Sequence, residues 1–175
     1  MHEIYFHEDD VGQLEILPIS KWHYCEHELA AVAEHDAAHR APGGVGWTKM
    51  YMPGAAEEPL QGLEMTATRF AELLAPHCKQ FDRLESPLSD VDVELGIRRI
   101  GFGPSDAGGV VADLQGELVS SIWCLLPGAT RDENELLAAM LISLTRDQHL
   151  LLMDWLRARA VDLRSKPGVE TYLAS

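Results

Sequence analysis

Several things are scarce in this sequence of 175 residues. Cysteine occurs three times, at Cys25, Cys78 and Cys124, widely spaced and without a C-x-x-C pair, which argues against a disulfide framework of the secreted type. No apolar run approaches the ~20 residues that span a bilayer. The opening Met1-His2-Glu3-Ile4-Tyr5 has neither a basic nor an apolar leader, so the expectation is a cytoplasmic chain without a signal peptide. Positive charge is the largest deficit: 14 Lys and Arg stand against 28 Asp and Glu, a formal net charge of −14. Such a surface repels phosphate backbones and anionic lipid headgroups, so neither nucleic acid nor membrane is expected as a partner.

What is present suffices for one folded domain. At this length a chain that is 46% hydrophobic can bury roughly 70% of its unfolded surface without a staple. The element order predicts a single α+β domain over residues 1–175, an antiparallel or mixed sheet of about 5–7 strands packed with about 4 helices. Glu3–His7 and Gln13–Ile19 alternate apolar and polar residues about the turn Glu8-Asp9-Asp10-Val11-Gly12 and read as a hairpin, with Glu15 opposite the apolar face. Ser20 is placed to cap a helix reaching His39, its buried stripe being Trp22, Cys25, Leu29, Val32 and Ala33. A strand at Trp47–Met52, a helix from Thr66 or Thr68 to Pro76 and a strand over Cys78–Glu85 follow.

Residues 87–109 read as strand or helix up to the glycine-rich Gly101–Gly109, which reads as a loop. Val110–Asp113 and Leu118–Leu126 flank a turn and form a second hairpin. Thr130-Arg131-Asp132-Glu133 and Thr145-Arg146-Asp147-Gln148 read as capping boxes opening a C-terminal helical pair, the second helix running from Leu150 to Leu163. Pro167-Gly168 ends the ordered run, leaving 165–175 as a tail of lower order whose Tyr172 and Leu173 dock back on the core.

The chemistry-bearing residues form no complete catalytic set, and no cofactor is expected. Gly101–Gly109 lacks a G-K-[ST] ending, and Pro104 removes an amide that a phosphate nest would use. Ser120, Ser121 and Cys124 lie within a strand, without a G-x-S-x-G elbow. The candidate metal ligands are His23, His27, His35 and His39, whose i,i+4 pairs each set two imidazoles on one helical face. The pairs stand nearly two turns apart, so the four cannot meet at one ion and each pair needs a third ligand from elsewhere. Asp154, inside the apolar Leu151–Leu156, is expected to be partly buried and to need a partner, Arg157 nearby or Arg98 or Arg99 at long range.

The acidity is uneven. Residues 1–100 carry 18 acidic and 8 basic side chains, and residues 101–175 carry 10 and 6. A negative surface steers in a cationic partner, so Glu8, Asp9, Asp10, Glu15, Glu57 and Glu58 are the candidate contacts for a basic protein.

The segment His2-Glu3-Ile4-Tyr5-Phe6-His7-Glu8-Asp9-Asp10 with Gln13-Leu14-Glu15-Ile16-Leu17-Pro18, a following helix and Gly46-Trp47-Thr48 resembles a family of small acidic bacterial proteins of unassigned activity. In charge and class the chain is similar to immunity proteins of toxin systems. That resemblance implies a non-catalytic protein neutralising a basic toxin partner, and it carries over no functional residue. The alternatives are a small metal-binding protein or metal-dependent enzyme using the first helix's histidines, and a homo-oligomeric structural subunit marked by an exposed apolar strand edge or helix face.

Overall fold

The structure, a computed structural model, describes residues 1–7, 10–41, 48–49, 63–86, 96–106, 108–126 and 130–175. Among these, the strands are β1 (Glu3–Tyr5), β2 (Leu14–Pro18), β3 (Lys79–Gln80), β4 (Arg83–Glu85), β5 (Arg98–Ser105), β6 (Gly108–Gln115), β7 (Leu118–Leu125), β8 (Leu150–Asp154) and β9 (Arg159–Asp162). The helices are α1 (Trp22–His39), α2 (Ala67–Leu74), α3 (Arg131–Leu144) and α4 (Lys166–Leu173). Seven strands form an antiparallel sheet in the order β3-β5-β6-β7-β2-β8-β9, and β1 pairs with β4 as a separate parallel ribbon. The architecture is the expected α+β one.

Side-chain alternation sorts the core into two faces of that sheet. Val110, Ala112, Ile122, Cys124, Ile16, Leu152 and Val161 face Phe70, Leu73, Leu137, Met140, Leu141 and Tyr172 of α2, α3 and α4. On the other face, Leu17, Leu151 and Met153 pack under Trp22, Cys25 and Leu29 of α1. Beside them, Val111 and Trp123 lie under Phe6 and Leu84, next to the β1–β4 ribbon. The main sheet is therefore a middle layer, which is why its central strands read as near-continuous apolar runs.

This two-sided burial explains the main corrections. The N-terminal hairpin does not form: β2 pairs with β7 and β8, while β1 crosses to β4 in register Glu3↔Arg83. Ile16 and Leu17 are both buried, on opposite faces, which suits an inner strand. Leu150–Leu163 is a β-hairpin rather than a helix, with Leu151↔Asp162 to Asp154↔Arg159 in register. All five residues of β8 are buried, and a short apolar run of that length is ambiguous between strand and buried helix by periodicity. Thr145 closes α3 instead of opening a helix, its hydroxyl donating to the Ile142 carbonyl at 2.7 Å. The C-terminal pair is thus α3 and α4, separated by the hairpin. The first capping box is as read: Thr130 Oγ1 accepts from Glu133 N, and Glu133 answers to Thr130 N at 3.0 Å.

The tail is also structured. Ser165 Oγ accepts from Gly168 N at 3.3 Å, Pro167 sits in the first turn of α4, and Val169 and Tyr172 are buried. Pro167 starts this helix, where its missing N–H costs nothing.

Gly101 and Gly103 lie in β5, and Gly108 and Gly109 open β6, so these glycines sit in strands where a loop was expected. A Cβ on Gly103 would meet the Gly108 carbonyl oxygen first and then the Phe81 ring at 2.5 Å, and one on Gly109 would meet the Phe102 carbonyl oxygen first and then that ring at 2.8 Å. Partner-strand backbone and the Phe81 ring together leave no room for a side chain at either glycine, and the expected Cys78–Glu85 strand is divided at Phe81 and Asp82 into β3 and β4. The β6–β7 hairpin turns at Gly116 (φ +64°) and Glu117, close to its expected position.

The first helix starts at Trp22 after a 3₁₀ turn, without a side-chain cap from Ser20. Its buried residues are Cys25 and Glu28, whereas Val32 is 39% exposed and Ala33 is exposed, so the packed stripe ends after two turns. The strand at Trp47–Met52 and the alternation at Val91, Val93 and Leu95 fall outside the described residues, apart from Thr48 and Lys49.

Candidate functional site

One end of the sheet carries a cleft of about 220 Å³, where the end of β7, the start of β2 and the β8–β9 turn converge. Its floor is Asp154, the last residue of β8, only 2% exposed, together with buried Cys124. Asp154 alternates onto the helical face of the sheet and meets α4 there. Tyr172 Oη donates to Asp154 Oδ2 at 2.6 Å, and the Arg157 backbone N–H donates to Oδ1 at 2.9 Å. Both carboxyl oxygens act as acceptors.

Arg157, the local partner named from the sequence, approaches only to 3.9 Å with Nε. Its guanidinium and that of Arg159 lie 5.8 and 5.5 Å from the Tyr172 ring centre, a cation–π arrangement on both. Arg98 and Arg99 pair elsewhere, with Glu117 and Asp113. The turn itself is tight: Ala158 has φ +51° and Leu156 is 70% exposed at the rim.

These surroundings set the chemistry. Burial, with the Asp154 charge adding to it, pushes the Cys124 thiol up to about 12. It stays a thiol and is no nucleophile. Burial and the bond to Asp154 push Tyr172 above the ordinary phenol range, keeping it a donor. Asp10, Gln13, Leu14, Leu125 and Leu126 complete the wall. Two carboxylates against one loosely held guanidinium leave the cleft net negative.

The residues singled out in the sequence do not all come together. Asp10 lines the cleft, and its Oδ2 accepts from His7 N at 2.7 Å. Glu15 leaves the outward acidic set: it lies on the α1 side of the sheet, where Trp155 Nε1 donates to Oε2 at 2.7 Å. Burial pushes its pKa up, only partly offset by that bond. Glu8, Asp9, Glu57 and Glu58 lie outside the described residues.

His23 and His27 are 95% and 79% exposed and meet Glu26 and Glu28 at 3.2 and 3.6 Å. His35 and His39 stack with ring centres 4.1 Å apart, and burial followed by the His39 charge lowers the His35 pKa. Among the described residues no three His, Cys, Asp or Glu side chains gather as a metal site would require.

A larger hollow of about 920 Å³ runs along α3, over Ala138, Ile142 and Leu173. Its rim cations are partly taken up, Arg131 by Glu135 at 3.0 Å and Lys166 by Glu170 at 3.7 Å.

Sequence reasoning flagged Asp154 through its apolar setting and missed Tyr172 as its partner, because Tyr172 read as part of a tail. Gln13 gave no signal; it enters the cleft only because β2 lies between β7 and β8. Comparison of the chain with protein-family models, curated proteins and solved structures gives no match in any of the three.

Proposed function

We propose that this chain is a non-catalytic, acidic protein-binding module that neutralises a basic protein partner, in the manner of an immunity protein facing a bacterial toxin. The observation that carries the reading is where the cations are spent. All fourteen Lys and Arg lie among the described residues. Nine of them, Arg40, Arg69, Lys79, Arg83, Arg98, Arg99, Arg131, Arg157 and Lys166, pair with ten of the chain's own carboxylates. Only five further cations are available to the other eighteen acids, so pairing within the chain cannot neutralise its surplus of negative charge.

That surplus is a long-range field. It raises the encounter rate with a basic surface and repels acidic competitors, while a few anchored contacts supply most of the affinity. In this reading the chain works in the cytoplasm, where its three free thiols stay reduced.

The test uses the purified product of the adjacent reading frame in the source genome. Association is followed by stopped flow over a range of salt, for the native chain and for a charge-reversal variant of Glu8, Asp9, Asp10, Glu57 and Glu58. The expected result is binding whose rate falls at least about tenfold on reversal and loses most of its salt dependence. No binding, or a rate and salt slope unchanged by reversal, overturns the proposal.

A further inference from the structure

The cleft floored by Asp154 is shaped and charged for one particular guest. We infer that it seats a single cationic side-chain tip, the ammonium of a lysine or the guanidinium of an arginine, presented by the basic partner. The source of that cation rests on the reading above; the chemistry of the cleft does not.

Three observations carry the inference. First, the acid at the floor keeps acceptor capacity: each Asp154 oxygen takes one short hydrogen bond, from Tyr172 Oη or Arg157 N, and a carboxylate offers about four acceptor sites. Second, the side-chain amide of Gln13 lines the cleft without a hydrogen-bond partner among the described residues, and Asp10 uses one oxygen on His7 N. All three offer acceptor oxygens to a cationic N–H donor, Gln13 through Oε1.

Third, the remaining wall is Leu14, Leu125, Leu126 and Leu156, which suits the methylene stem that carries such a head group. A carboxylate at the base of an apolar-walled pocket is how proteins select a long basic side chain. The resident Arg157 does not fill the role. Its Nε is 3.9 Å from Asp154, outside hydrogen-bond range, and about half the side chain is in solvent over Tyr172.

The volume agrees. About 220 Å³ holds roughly seven waters at ~30 Å³ each, enough for a side-chain tip and too little for a folded segment.

The probes are methylguanidinium and n-butylammonium chloride, titrated into the full-length ¹⁵N-labelled protein at constant ionic strength, with tetramethylammonium as a cation that cannot donate a hydrogen bond. Saturable shifts confined to Gln13, Leu126, Asp154 and Arg157 are expected for the two donors and not for the control. Asp10→Asn and Gln13→Ala are expected to weaken binding about three- to tenfold each. Asp154→Asn tests the floor directly, but it risks the fold. Gln13→Arg therefore serves as second variant: it supplies the cation in cis and is expected to abolish probe binding in a folded protein.

Shifts that rise linearly, spread over the acidic surface or appear equally with tetramethylammonium overturn the inference. So does undiminished binding in Gln13→Arg. Loss of the cleft in this way leaves the charge-reversal result with the protein partner standing, and a failed partner test leaves saturable probe binding standing, so the two failures are distinct.

Discussion

Tyr172 donates its hydroxyl to Asp154 at 2.6 Å, joining the last helix to the end of β8 across eighteen residues of sequence. With Arg157 and Arg159 over the ring, this contact fastens the C-terminal segment beneath the acid at the cleft floor instead of leaving a loose end.

Removing that hydroxyl leaves a buried carboxylate short of one donor. Tyr172→Phe is expected to cost about 1–3 kcal/mol, the usual penalty for an orphaned buried polar group. Urea unfolding monitored by tryptophan fluorescence measures it; an unchanged midpoint would show that the bond contributes nothing net.

Glu15 gives a pH-dependent prediction. Its pKa is raised by burial, so the folded state holds the proton more tightly than the unfolded chain does. The stability from this site is full below the ordinary glutamate value and is lost as pH rises through the folded value. Glu15→Gln keeps an acceptor for Trp155 and removes the buried charge. It is expected to raise the Tm at pH 7 and to lose that advantage at pH 4, as calorimetry at the two pH values will show.

Asp162 has the opposite sign. Burial pushes it up, but the Arg164 amide at 2.8 Å and the His149 ring at 2.8 Å outweigh that and hold it below the ordinary range. Its contribution is present above the ordinary aspartate value and lost as pH falls through the folded one. Asp162→Asn is expected to destabilise at pH 7 and to converge on the native protein in acid, read from the same thermal scans.

Thiol accessibility should separate the cysteines. Burial pushes Cys25 up to about 11 and Cys124 up to about 12, and both are buried; Cys78 is partly exposed and less strongly raised. Treatment with an aromatic disulfide reagent at pH 8 is expected to label Cys78 slowly and the other two only after unfolding. Fast labelling of Cys124 in the native protein would contradict its place under the helices.

Gly103→Ala is expected to cost about 1–3 kcal/mol by overpacking against the Gly108 carbonyl oxygen and the Phe81 ring, and only the share due to the ring is recovered when Phe81→Leu is added. A double-mutant cycle in urea measures the coupling; additive effects would place the strain elsewhere.

What the sequence made legible follows from how local each signal was. The Thr130 capping box, the α2 cap at Thr66 and the turn at Gly116 are short-range devices, and each was placed within a residue or two of its structural position. Leu150–Asp154 misled because a strand covered on both faces has no alternation to display, and Thr145…Gln148 next to it imitated a helix start. Gly101, Gly103 and Gly109 looked like loop residues because the side chains and partner-strand backbone that crowd them meet only once the sheet is formed. Asp154 stood out through its apolar neighbours, yet its partner could not be named until β8, β9 and α4 were placed together. The acidic surplus was plain in the composition, but Glu15's removal from it depended on Trp155 lying across the strand.

Among the described residues, the seven-stranded sheet ends in β3, two residues long, and in β9, four residues bearing Arg159 and Asp162 at its ends. Open ladders of that length and charge make poor templates for a neighbouring chain. A population of this protein held at high concentration should therefore resist fibril growth through its sheet margins, leaving its helical and acidic surfaces as the places where molecules meet.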